Sequence, residues 1–412
     1  MEGKSLRVYN TERTFFSKIT NTITKLLIPT KVGINGMLIS IKRNSLLKAY
    51  ENFALSSNLE EEKKEALSKK YEDIYALYLD AIDKNIVDSV YKKVKNNTAT
   101  EFEKDALSRY YLIVHLKEND YTEYKYRKQK YLLELDYQTV LETGKDKTVE
   151  KYKKFYCYKM ENIYKGILKY YSIKLADNLT LVAKDEIYNK IFSTLEEYIS
   201  NILPLKFKEN NTELYKEITN EYESFEKYTV GKLDQNEIIE KNMILLGISR
   251  RLFTHSLPLS VAEQCYIKLL KDVRSLIVDT RVIKKQERAY SLLIKLIEEY
   301  NVKLLSTKVY WDKPNLRQEY RKFWDKYKEL ESLKEIDEEK YLKEKEILFI
   351  SNDLKQVLKN ENKYFKIIKF YKNRLVELGA MRNLLDSYSS EGNYTKANKK
   401  KNQRSKKEKV VV

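Results

Sequence analysis

LEEEKKEALSKKYEDIYALYLDAIDKNIVDSVYKKVK, residues 59–95, decides the fold class. Leu67, Tyr71, Ile74, Tyr78, Ile82 and Val90 recur at the spacing that gathers apolar side chains on one face of an α-helix. Glu60, Glu61 and Glu62 stand where a helix N-terminus favours negative charge. Neither proline nor glycine interrupts the run, which at 1.5 Å per residue makes a helix ~55 Å long.

The same periodicity extends in both directions. Helices are expected over about 98–120, 120–142 (with Gly144 as C-cap), 147–176, 179–203, 209–230 and 234–246. Beyond Pro258, Ser260 and Glu263 have capping-box spacing and open a helical stretch reaching about 305. Further helices are expected over about 315–333, 335–360 and 361–387. On the N-terminal side, Asn35-Gly36 is a hairpin signal. Leu38, Ile41, Ser45, Tyr50 and Phe53 nevertheless continue better as a helix beginning near Gly36.

Composition supports this reading. The 412 residues contain 9 glycines and 4 prolines, where average usage gives roughly 29 and 20. All-β and doubly wound folds need more turns than that punctuation allows. The chain is 42% hydrophobic and 34% charged, a composition that folds. The fold class expected is all-α: an elongated, two-lobed bundle of long antiparallel helices. Its divisions would be an N-terminal arm (1–36), a first lobe (37–203), a connecting region (204–258), a second lobe (259–388) and a disordered basic tail (389–412). KEALSK at 64–69 and KDALSR at 104–109 echo each other, but with no third copy they read as two similar helix starts and not as a repeat.

The net charge of +18 is unevenly spread. Residues 1–50 carry nine Lys/Arg against two Asp/Glu, and residues 351–412 carry sixteen against six. The 300 residues between them sum to +1. From Ser389 the chain reads SSEGNYTKANKKKNQRSKKEKVVV, without a helical apolar face. Such a segment cannot bury enough apolar surface to offset its ordering entropy. Lys399, Lys400, Lys401, Arg404, Lys406, Lys407 and Lys409 make it a candidate polyanion contact. A partner-free solubilising tail is the bland alternative. Lysine predominates there, which fits phosphate contact better than base-edge reading by arginine forks. At the other end Phe15, Phe16, Ile19, Ile23, Leu26 and Leu27 form an amphipathic stripe flanked by Arg13, Lys18 and Lys25 and ended by Pro29. Such a helix docks on its own body, on a partner, or on an anionic membrane.

No catalytic constellation appears. Thr143-Gly144-Lys145 resembles the end of a phosphate loop, but the glycine required five positions before Gly144 is Thr139. His115 and His255 have no carboxylate or second histidine at i+3 or i+4, and Cys157 and Cys265 have no metal spacing. The carboxylate runs, such as residues 60–62 and 337–339, read as helix starts and solvated faces. No metal or cofactor is called for. Segment 151–174, KYKKFYCYKMENIYKGILKYYSIK, interleaves lysines with Tyr152, Tyr156, Tyr164 and Tyr170. That is either a stacking surface for unpaired bases or a tyrosine-filled inner face. No span or secretory leader is visible, so a cytoplasmic protein is expected, with a peripheral position at the inner membrane face as the variant.

The function expected is therefore a non-enzymatic interaction or scaffold protein whose cationic ends bind a polyanion, nucleic acid ahead of an anionic membrane. The alternatives are a structural assembly subunit binding protein partners or itself, as in a phage or conjugative element, and a peripheral membrane protein held by residues 13–28.

Overall fold

A computed structural model describes residues 34–382 apart from 100, 178, 208–212, 230, 253–258, 307–313 and 381. Among the described residues the regular structure is entirely helical. The helices are α1 (Ile34–Ala54), α2 (Glu61–Asn85), α3 (Glu101–Asn119), α4 (Tyr121–Thr143), α5 (Asp146–Ala176), α6 (Leu181–Asn201) and α7 (Leu203–Phe207). They continue as α8 (Glu213–Glu226), α9 (Gln235–Leu252), α10 (Leu259–Asp279), α11 (Ile283–Ile297), α12 (Pro314–Glu331), α13 (Glu338–Leu358) and α14 (Glu361–Glu377). The chain divides into two compact units, residues 1–211 and 212–412. The division falls inside the stretch 204–258, and α8 and α9 pack within the second unit.

In the first unit each helix packs on its sequence neighbour: α1 on α2, α3 on α4, α4 on α5 and α5 on α6. Contacts of α2 with α4 and of α1 with α5 close the bundle. The 31-residue α5 is its axis, burying Tyr152, Phe155, Tyr156, Met160, Ile163, Tyr164, Ile167, Leu168 and Tyr171 along one stripe. Burying each of these large side chains stabilises the fold by roughly 1.5–3 kcal/mol. Tyrosine is the main filler: Tyr137 and Tyr156 stack at 4.1 Å between ring centroids. Gly166 lets α4 come close, because a Cβ there would lie 2.4 Å from the ring of Tyr126.

The local signals are those the side chains dictate. Asp120, Thr180 and Asp337 cap α4, α6 and α13 by accepting from the backbone N–H three residues on. After α2 a π-helical turn (Ile86–Val90) and a last α-turn (Tyr91–Lys95) follow, closed by Asn97 in the left-handed region at φ 55°. Thr98 N–H then donates to Lys93 O at 2.9 Å and Asn97 N–H to Val94 O at 3.1 Å, the paired bonds of a Schellman ending. Gly144 ends α4 in extended backbone, its N–H donating to Val140 O at 2.8 Å.

In the second unit α8 packs on α9, α9 on α10 and α11, and α10 on α11. A second group has α12 on α13 and α13 on α14, tied in by contacts of α11 with α13 and α10 with α14. Three expectations need correction here. The stretch 259–305 is two helices, since the chain turns at 280–282 so that α11 can pack back on α10. The helix that opens at Glu361 stops at Glu377, because Gly379 at φ 72° turns the chain and Ala380 N–H closes back on Leu375 O at 2.8 Å; Arg382 is again helical, and residues 383–387 lie outside the described residues. Finally, Ser260 lies inside α10. The capping box that forms is Asp234 with Glu237, each backbone N–H donating to the other's carboxylate at 3.0 and 2.8 Å.

Candidate functional site

Several cations of the body are used internally. In the first unit Lys159 donates to Glu72 at 2.9 Å, Lys174 to Asp120 at 2.6 Å and Lys190 to Glu123 at 2.8 Å, while Lys130 reaches Glu197 and Lys206 reaches Glu161. Each pair joins two helices. Against burial, which pushes these carboxyls up, Lys174 and Tyr170 hold Asp120 below the usual range, and Lys190 and Arg127 do the same for Glu123. Burial wins at Lys159, whose amine is pushed down despite Glu72.

Two nodes repeat one chemistry. In the first unit Arg43 of α1 donates to both oxygens of Asp136 of α4 at 2.9 and 2.5 Å. Tyr78 of α2 donates to the same carboxylate and meets the hydroxyl of Tyr152 of α5 at 2.9 Å. In the second, Arg274 of α10 grips Asp353 of α13 with both Nε and Nη2, and Tyr371 of α14 donates to Asp353 at 2.6 Å. Arg43, Asp136 and Asp353 are all buried.

The second node fixes α14, and α14 carries the candidate site. Ile367, Ile368, Tyr371 and Leu375 bury its inner face, while Arg374 donates to Glu346 of α13 at 2.8 Å. The opposite face is thereby set toward solvent. It presents Lys366 and Lys369, with Lys363 at its flank and Phe365 66% exposed between them. No acidic residue occurs between Glu361 and Glu377. Tyr364 kinks the helix (φ −111°, ψ 18°), so Lys363 stands before the kink and Phe365, Lys366 and Lys369 follow it; lysines beside an exposed ring can hold a phosphate backbone and stack a base.

A different balance holds in a cleft of about 320 Å³ between α1 and α5, lined by Leu47, Tyr50, Glu51, Lys147, Glu150, Lys151 and Lys154. There Lys151 pairs with Glu51 at 2.7 Å and Lys154 with Glu150 at 3.6 Å.

The tail residues Lys399, Lys400, Lys401, Arg404, Lys406, Lys407 and Lys409 lie outside the described residues, as do Phe15, Phe16, Ile19, Ile23, Leu26, Leu27 and His255. The tyrosines of 151–174 are mostly an inner face: Tyr152, Tyr156 and Tyr164 are buried, and Tyr170 donates to Asp120. His115 is exposed on α3, whereas Cys157 and Cys265 are buried, burial pushing the Cys265 thiol up to about 12. Among the described residues no three of His, Cys, Asp and Glu gather as a metal site, and no helix is long and apolar enough to cross a membrane. Sequence reasoning passed over α14. Its available signal was Phe365, which is out of phase with the stripe Ile367, Ile368, Tyr371 and Leu375.

No protein-family model, curated protein or solved structure matches the chain.

Proposed function

We propose that this is a non-enzymatic helical interaction protein that binds a polyanion, single-stranded nucleic acid first, through the outward face of α14 and the basic tail. The observation that carries the reading is a helix with no acid between Glu361 and Glu377 that shows Lys363, Lys366, Lys369 and an exposed Phe365, set against Lys130, Lys159, Lys174, Lys190 and Lys206, which pair across helices. Only Leu378 to Tyr388 separate that helix end from the tail. The face and the tail therefore form one cationic stretch of sequence, long enough to follow a flexible strand. Lysine-rich contact of this kind grips the backbone without selecting a base sequence.

The test is fluorescence anisotropy of a labelled single-stranded oligonucleotide across a salt series. Four proteins are compared: the full chain, residues 1–388, a Lys363→Ala/Lys366→Ala/Lys369→Ala variant, and Phe365→Ala. Each lost phosphate contact lowers the salt slope by ~0.7, so the triple variant is expected to lose about 2. Phe365→Ala is expected to cost about 1–3 kcal/mol of binding if a base stacks on the ring. A triple variant with unchanged affinity and slope sinks the role of α14. No binding by the full chain at low salt sinks the proposal. Binding to anionic vesicles instead, abolished by Phe15→Asp with Phe16→Asp, would move the reading to a membrane surface.

A further inference from the structure

One node of the second unit differs from those at Asp136 and Asp353, because its polar atoms satisfy one another only in part. Glu221 of α8, Arg250 of α9, Tyr266 of α10 and Glu299 of the turn after α11 act on one another electrostatically. Arg250 Nη2 lies 3.9 Å from Glu299 Oε2. Yet among the described residues Glu221 Oε2, Arg250 Nε and Glu299 Oε2 are buried atoms without a hydrogen-bond partner, and the buried Tyr266 hydroxyl faces Arg250 without a well-formed hydrogen bond. Tyr266 itself has 0% exposure. Buried polar atoms in proteins are nearly always hydrogen-bonded, so four on residues that act on one another require an explanation.

The surroundings narrow what can sit there. Arg251 reaches Glu217 and Glu221, and Lys303 reaches Glu299, so three cations face three carboxylates and no net charge calls for an ion. The atoms left short of partners are two donors, Arg250 Nε–H and Tyr266 O–H, and two carboxylate acceptors. Their complement is a small neutral molecule that accepts twice and donates twice. Two backbone features make room. Glu299 lies in a π-helical turn, Glu298–Leu304, which widens the helix. Gly247 of α9 faces Glu221, and a Cβ built there would meet only Glu221 Oε2, at 3.7 Å.

We infer that this node is a built site for one ordered water molecule, which donates to Glu221 and Glu299 and accepts from Arg250 and Tyr266. It ties α8, α9, α10 and the π-helical turn together, the work done elsewhere by direct Arg–Asp–Tyr contact. The rise in the Glu221 carboxyl, from burial first and Glu299 among its charged neighbours, is consistent with a site short of donors from the protein alone.

A crystal structure of the full chain, at a resolution that orders water, tests this directly. Density within hydrogen-bond distance of at least three of the four atoms supports the site. A direct hydrogen bond between the Glu221 and Glu299 carboxyls, or side chains turned to bulk solvent, overturns it. Thermal unfolding of Gly247→Ala and Gly247→Ser gives a second reading. Alanine inside a helix normally raises stability over glycine. With water in the site, alanine is expected to leave Tm unchanged or lower it, and serine, supplying a hydroxyl in the water's place, to recover it. A higher Tm for alanine than for both glycine and serine overturns the inference.

Discussion

The Asp136 and Asp353 nodes use the same three residue types, an arginine fork and a tyrosine hydroxyl on one buried carboxylate, but not to the same extent. Asp136 is contacted from α1 and α2, and through Tyr78 the network runs on to Tyr152 of α5, so four helices meet. Among the described residues Asp353 joins α10, α13 and α14. The order along the chain also differs: Arg43, Tyr78, Asp136 in one unit and Arg274, Asp353, Tyr371 in the other. A copied segment would keep its order. The resemblance is better explained by a shared requirement. A core packed with tyrosine must find acceptors for its hydroxyls, and a buried carboxylate that accepts them needs a guanidinium to offset its desolvation.

The largest expected effect comes from removing the acids. Asp136→Ala leaves Arg43 as an uncompensated buried charge and strands the Tyr78–Tyr152 pair, so a loss of about 3–5 kcal/mol is expected. Asp353→Ala strands one tyrosine fewer and is expected to cost roughly 1 kcal/mol less. Urea unfolding separates the two sites, because both tryptophans, Trp311 and Trp324, belong to the second unit. Asp353→Ala should shift the tryptophan fluorescence midpoint, and Asp136→Ala the far-UV circular dichroism alone. Equal losses from the two acids would break the comparison.

Next come the hydroxyls. Tyr78→Phe removes the donor to Asp136 and the partner of Tyr152, with an expected cost of about 2–3 kcal/mol. Tyr371→Phe removes one charge-assisted bond and is expected to cost about 1.5 kcal/mol. A Tyr152→Phe variant, with an expected loss of about 1 kcal/mol or less, sharpens the comparison by isolating the outer link.

The smallest effect is in acid. Asp120, Glu123 and Glu161 of the first unit are held below the usual carboxylate range by lysine, arginine and tyrosine partners, against burial. A group whose folded value lies below its unfolded one adds stability that is complete above about pH 4–4.5 and lost as pH falls through the folded value. Glu221 in the second unit is raised, and its contribution has the opposite sign, present at low pH and lost as pH rises through the folded value. On acidification, circular dichroism is therefore expected to fall before tryptophan fluorescence changes. Coincident transitions would contradict that asymmetry.

Much of the helical class was legible because periodicity and missing punctuation are local properties. Where tertiary packing overrode them, the sequence was silent. The turn at Thr280-Arg281-Val282 has neither proline nor glycine, and only the return of α11 onto α10 explains it. The candidate face was harder still. Segments 151–174 and 361–377 both look basic and aromatic, yet Tyr152, Tyr156 and Tyr164 fall in phase with Ile163 and Ile167 and point inward. Whether a lysine finds a carboxylate on a neighbouring helix, as Lys159 and Lys190 do and as Lys366 does not among the described residues, depends on packing that no local pattern encodes.

The tyrosine core also bears on how this sequence can drift. Phenylalanine and tyrosine codons lie one nucleotide apart, so exchanges between them arise often. At exposed rings such changes are close to neutral. At Tyr78, Tyr171 and Tyr371 they withdraw a donor from Asp136, Glu123 and Asp353. Descendants of this chain should therefore change those positions in pairs, ring and carboxylate together, and such paired changes would trace the buried contacts in sequences whose overall likeness has faded.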